Sequence, residues 1–276
     1  MIRRLAVLDI IRGPLAAWVV IAHILFITGG NHTAVHPEYA VELFLVITGF
    51  VTAKLVIEKA EPYSVFIVRR FFRIWPVLVF CLALNLAVTR PAATLDNVVV
   101  FLSELAMLHG LIPDKLIPDA SMRLLVPAWY VSVVWQFFLV APLFVRWVLR
   151  LGWRSQIALA ILWWIPVNRW INAWLPHYWR MESVIVLKLF WIYAGIMAYR
   201  YWPHWGQLKL PRWTAPLEHL GTISYSMYLV HFPIILFYRD NLPLAVLLIF
   251  VASVLVHSLI EVPGVRLGQW LLRLIG

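Results

Sequence analysis

The sequence predicts an all-α integral membrane protein, with about eight transmembrane helices plus one re-entrant or interfacial helix, roughly nine to ten helices in all. Three observations predict it. Only 13% of the 276 residues are charged and 63% are hydrophobic, with a mean hydropathy of +0.85; soluble domains carry about 25% charged residues. The apolar residues gather into runs close to the length of a membrane crossing, about 17–25 residues. The 16 Trp suit the headgroup level, where indole rings concentrate.

Taken in order, the apolar runs are 7–28, 39–57, 74–90, 97–112, 127–147, 156–173, 184–201, 221–238 and 242–260. The run 97–112 is short and holds Ser103, Glu104 and His109, which suits a segment that dips into the membrane and returns. With that segment not crossing, more Lys and Arg fall on the cytoplasmic side, and both termini are cytoplasmic. The longest polar stretch, near 202–216, is a short loop, so residues 1–276 read as a single transmembrane domain. No A-x-A-like cleavage site follows the first apolar run, which therefore reads as a membrane helix.

Charge and cysteine usage narrow the function. The formal net charge is +10, but the basic residues lie in short loops between apolar runs. Topology and contact with anionic membrane lipid account for them, and nucleic acid is not a partner. The one cysteine, Cys81, excludes an internal disulfide; its apolar run gives a thiol nothing to activate it. No metal-ligand spacing, P-loop or dinucleotide fingerprint is present.

Ionisable residues inside membrane helices are costly and mark sites or pathways. The first run, "LDIIRGPLAAWVVIAH", carries three: Asp9, Arg12 and His23. Arg12 and His23 are 11 positions apart, about 1100° of rotation, so they share one helix face with a rise of ~16 Å between them. Asp9 is one turn before Arg12 and close enough to pair with it. Glu42 enters the second run near the depth of His23, where a carboxylate could orient an imidazole. In "VRRFFRIWP", Arg70 and Arg73 stand one turn apart at the cytoplasmic entry of the third helix, with Pro76 in its first turn; topology alone explains such a cluster, and two nearby guanidiniums also suit a phosphate. Ser224, Tyr228 and His231 form a polar stripe in "ISYSMYLVHFP", and Ser253, His257 and Glu261 follow at four-residue steps. A hydrolase triad there is disfavoured, because all three would stack on one helix without a strained nucleophile turn.

Six segments in order, "LDIIRGPLAAWVVIAH", "VELFLVITGFV", "RRFFRIWP", "PAWYVSVVWQFFLVAPL", "GTISYSMYLVHFPI" and "HSLIEVPGVRLG", resemble the acyltransferase-3 family of bacterial membrane O-acyltransferases. The resemblance runs from about residue 5 to residue 268. It implies an Arg-x10-His pair essential for acyl transfer, at Arg12 and His23, and a donor-linked Arg-x-x-Arg motif at Arg70 and Arg73. Two departures stand out. The family's Trp-Ser-x-Ser-x-Glu segment reads Trp129-Tyr130-Val131-Ser132-Val133-Val134, and 202–216 replaces a helix pair usual in the family.

The expectation is therefore an acyltransferase of the bacterial cytoplasmic (inner) membrane. It would move an acyl group, most simply acetyl, from acyl-CoA as co-substrate to a hydroxyl of a surface glycan or lipid-linked saccharide. His23 would be the general base, Glu42 its partner, and Arg12, Arg70 and Arg73 the donor-phosphate ligands. Asp9, Trp129, Ser132, Gln136, Tyr228, His231 and Glu261 would line the path; no cofactor would be permanently bound. The alternatives are a transporter or flippase, with His23 as proton relay, and a non-catalytic member of a polysaccharide-assembly complex.

Overall fold

The computed structural model describes residues 6–29, 35–163, 179, 183–202 and 211–275. Among them there is no strand. The helices are α1 (Ala6–Ile27), α2 (Pro37–Glu58), α3 (Tyr63–Thr89), α4 (Leu95–Leu105), α5 (Ala128–Arg150), α6 (Trp153–Leu162), α7 (Ile185–Tyr201), α8 (Ala215–Phe237), α9 (Leu242–Val256) and α10 (Val262–Ile275). Among the described residues, six helical runs are long and apolar enough to cross a membrane: α1, α2, α3, α5, α8 and the continuous run Leu242–Leu274. The apolar α7 has 17 residues, about 25 Å. The remaining expected crossing, 156–173, lies outside the described residues beyond Trp163.

Helix α4 is the expected short segment. Its 11 residues span about 16 Å, half of a ~30 Å hydrocarbon core. It starts where the Thr94 hydroxyl accepts from the Asn97 N–H. It ends well before residue 112, because Met107 turns left-handed (φ 58°), and only a 3₁₀ turn at His109–Leu111 follows.

Two other boundaries differ from expectation. Pro76 does not open α3 but sits inside it, and the helix begins at Tyr63. An internal proline frees the carbonyl four residues back. Here that is Phe72, and Gly264 of α10 packs on it: a Cβ at 264 would lie 3.0 Å from the Phe72 carbonyl oxygen and 2.8 Å from Pro76 Cγ. The last helix likewise does not stop at 260. A π turn over His257–Glu261, with the Val262 N–H reaching back to the His257 carbonyl, carries it past Pro263 to Ile275.

Two compact units divide the chain: Met1–Phe44, Val68–Arg90 and Trp202–Gly276 form one, Leu45–Ile67 and Pro91–Tyr201 the other. In the first, α1 and α8 pack along each other more extensively than any other described pair of helices. In the second, α2 and α7 approach backbone to backbone. A Cβ on Gly49 would strike the Ile192 carbonyl, and one on Gly195 the Val46 carbonyl.

Candidate functional site

The site is built on the α1–α8 pair. Gly221 lets the two backbones meet, since a side chain there would collide with the Asp9 carbonyl. Further along both helices His23 meets His231, so α1 and α8 run in the same direction. His231 Nε2 lies 3.3 Å from His23 Nδ1, and the ring centroids are 5.0 Å apart. Phe232 meets the edge of His23 at 5.8 Å. His231 is fully buried, and His23 is half-buried.

Backbone carbonyls fix the protons on both rings. His23 Nδ1 is 2.9 Å from the Val19 carbonyl oxygen, and His231 Nδ1 is 3.1 Å from that of Met227. A carbonyl can only accept, so each Nδ1 carries the hydrogen and each Nε2 a lone pair. His23 Nδ1–H is therefore shared between the Val19 carbonyl and the lone pair of His231 Nε2. The lone pair on His23 Nε2 makes no hydrogen bond among the described residues. The ring is oriented at one nitrogen and basic at the other.

Glu42 is not a partner of His23. Phe44 faces the Tyr228 ring across 6.2 Å, and Glu42, two positions earlier on α2, is turned about 200° away from Phe44. The orienting role expected of a carboxylate falls to an imidazole. Tyr228 is buried, with its ring 6.2 Å from that of His231.

Arg12, Arg70 and Arg73 belong to the same unit. Arg12 pairs with Asp9 at 3.2 Å, as the spacing predicts. The Tyr225 hydroxyl of α8 donates to the Ile74 carbonyl of α3 at 2.8 Å. One turn earlier on α8, Gly221 rests on Asp9. The first half of α8 therefore borders both Arg12 on α1 and the Arg70–Arg73 turn of α3. Arg73 is exposed and Arg70 half-buried.

The expected path residues take other roles. Glu261 is buried in the π turn, where its Oε2 accepts from the Ser226 hydroxyl at 2.9 Å and lies 3.0 Å from His257 Nδ1. Ser253 donates to the Ile249 carbonyl at 2.6 Å instead of meeting His257, which disposes of a triad on that helix. In the second unit, Trp129, Ser132 and Gln136 are buried in α5. Gln136 donates to the Ser183 carbonyl (3.0 Å) and Ser132 Oγ (3.2 Å) and accepts from the Ile185 N–H (3.0 Å). Ser132 Oγ also accepts from the Gly110 N–H at 3.2 Å. These two polar side chains tie α5 to the 109–111 turn and to the 183–185 segment. Val134, where the family has Glu, is buried in the same helix.

The acyltransferase domain model of the acyltransferase-3 family matches residues 5–215. The chain belongs to that family. It is thus a membrane acyltransferase, and the matched stretch contains Arg12, His23, Glu42, Arg70 and Arg73. No curated protein and no solved structure matches the chain. His231 and Glu261 lie beyond the matched stretch. The α1–α8 packing brings His231 to His23. Among the described residues no group of three His, Cys, Asp or Glu side chains is placed to hold a metal ion.

Proposed function

We propose that this acyltransferase moves an acyl group, acetyl being the simplest, from cytoplasmic acyl-CoA to a hydroxyl of a surface or exported glycan or glycolipid. The observation that supports it is the oriented His23, held at Nδ1 and open at Nε2. His23 Nε2 takes the proton of the acceptor hydroxyl as its oxygen attacks the thioester carbonyl. The imidazolium that forms keeps its Nδ1–H on the Val19 carbonyl and on His231 Nε2. Collapse of the tetrahedral intermediate breaks the C–S bond, and the proton on Nε2 passes to the departing CoA sulfur. The products are an O-acyl ester, free CoA and neutral His23.

Arg12, Arg70 and Arg73 are assigned to the phosphates of CoA, whose negative charge calls for guanidinium donors. Asp9 holds Arg12 in place until donor arrives. Both termini are assigned to the cytoplasm of a bacterial inner membrane, which puts these arginines on the side where CoA is found. Mass spectrometry of surface glycans from cells carrying wild type or His23→Ala tests the reading. O-acyl groups present with the first and missing with the second support it. Identical glycans in both overturn it.

A further inference from the structure

The last helical run is longer than a membrane is thick. The exposed pair Arg239 and Asp240 precedes it, and helix then continues through the π turn from Leu242 to Leu274, 33 residues. That is about 50 Å, against ~30 Å of hydrocarbon and ~40–45 Å for a whole bilayer. Counted from Leu242, about 20 residues use up the hydrocarbon. This is the distance to the π turn at His257–Glu261, so α10 begins where the hydrocarbon ends.

Helix α10 presents three faces. Gly264 and Gly268 are buried against Phe72 of α3. Leu267, Trp270 and Leu274 are exposed, at steps of three and four that put them on one side. Arg266 and Arg273 are exposed as well. They stand about 200° and 180° round from Gly264, opposite the face that meets α3. Neither meets a carboxylate among the described residues.

An apolar stripe with a tryptophan, beside a basic stripe, suits the boundary between lipid chains and headgroups. A soluble anion on the arginines would leave Leu267, Trp270 and Leu274 in water. The arginines also face away from the α3 turn that carries Arg70 and Arg73. An upright continuation of α9 would carry Leu274 ~20 Å past the hydrocarbon, beyond the headgroups. A π turn is a place where a helix can bend.

We propose that α10 lies along the headgroup layer, with Leu267, Trp270 and Leu274 toward the lipid chains. Arg266 and Arg273 hold the phosphates of anionic phospholipid. On the topology proposed above this is the cytoplasmic leaflet, whose surface is negative. The contact takes no part in acyl transfer.

Fluorescence quenching of the full-length protein in phosphatidylcholine vesicles tests it. Bimane is attached at Leu267→Cys, Leu274→Cys or, on α9, Phe250→Cys, each combined with Cys81→Ala. A lipid nitroxide at shallow depth should quench the labels at 267 and 274 alike, and a deep nitroxide or aqueous iodide should quench them little. The label at 250 should prefer the deep nitroxide. At 274 the shallow nitroxide on phosphatidylglycerol should outcompete the same group on phosphatidylcholine, by about fivefold in apparent affinity for each arginine. Arg266→Gln with Arg273→Gln should bring that ratio to one and leave the depths unchanged. Both arginines are exposed, so the variant does not disturb packing. Deep quenching at 274, or quenching there by iodide alone, overturns the proposal. So does equal quenching by the two lipids in wild type, or a preference that survives the double substitution.

Discussion

Two polar clusters among the apolar helices differ in one respect. In Ser132–Gln136–Ser183, the Gln136 amide is satisfied at both ends: its nitrogen by a carbonyl and a hydroxyl, its oxygen by an N–H. In His23–His231, three of the four ring nitrogens are engaged and His23 Nε2 is not. Burying a polar group is unfavourable unless it is hydrogen-bonded. A satisfied cluster braces the fold, whereas an oriented ring with one unspent lone pair is equipped to take a proton. Polarity among apolar helices does not by itself mark a site.

Substitutions in the two clusters should therefore separate cleanly. His23→Ala carries the largest effect: acceptor-dependent CoA release should fall about 10²–10⁴-fold with the melting temperature little changed. Gln136→Leu should do the reverse. It strands the Ser183 carbonyl and the Ile185 N–H, which costs about 1–3 kcal/mol of stability, while kcat of the folded protein holds. Equal losses of activity in both variants, per folded molecule, would erase the contrast.

His231→Phe should lower kcat about 10–100-fold, because it removes the acceptor that steadies the imidazolium at a hydrogen bond to a charged group. His231→Gln, whose amide oxygen can accept from Nδ1–H, should recover most of that loss. Failure of Gln to rescue while Phe and Gln melt alike would reduce His231 to packing. Arg12→Ala and Arg73→Ala should raise KM for acyl-CoA by about tenfold, one charge-assisted contact each, and alter kcat less.

A separate effect, on stability alone, lies outside the membrane-spanning helices, at Glu104 in α4. Its side chain is fully buried, and burial pushes its carboxyl up to about 8. The folded protein then holds a proton that the unfolded chain releases, so stability should decline as pH rises from the usual carboxylate range towards 8. Glu104→Gln cannot ionise and should flatten that decline in a melting series from pH 5 to pH 8. A parallel decline in the variant would assign the trend elsewhere.

The helical class, the short segment around 97–112 and the Asp9–Arg12 pair were all legible in the sequence. Periodicity and spacing along one helix determine them. What crosses between helices was not. His231 read only as part of a stripe with Tyr228, because nothing along α8 says which helix its stripe faces. The available signal was Gly221 in α8, a small residue marking a close backbone approach, with Gly13 on α1 beside Leu217 and Leu220. Glu42 misled because a carboxylate is the commoner orienter of an imidazole, and its rotation away from the site depends on Phe44 packing against α8. Pro76 read as the opening of its helix because propensity penalises an internal proline. Gly264 packed on the freed Phe72 carbonyl and the π turn at His257–Glu261 are tertiary answers to that penalty.

The central claim is that His23 acts as a base through Nε2 and never carries the acyl group. A rapid-quench single turnover of purified protein with radiolabelled acetyl-CoA tests it most directly. Without acceptor, CoA release should be slow and the protein should retain no label. Adding acceptor should accelerate release, and His23→Ala should abolish that acceleration. Label recovered on His23 after the quench would contradict the account and make the enzyme a two-step acyl carrier.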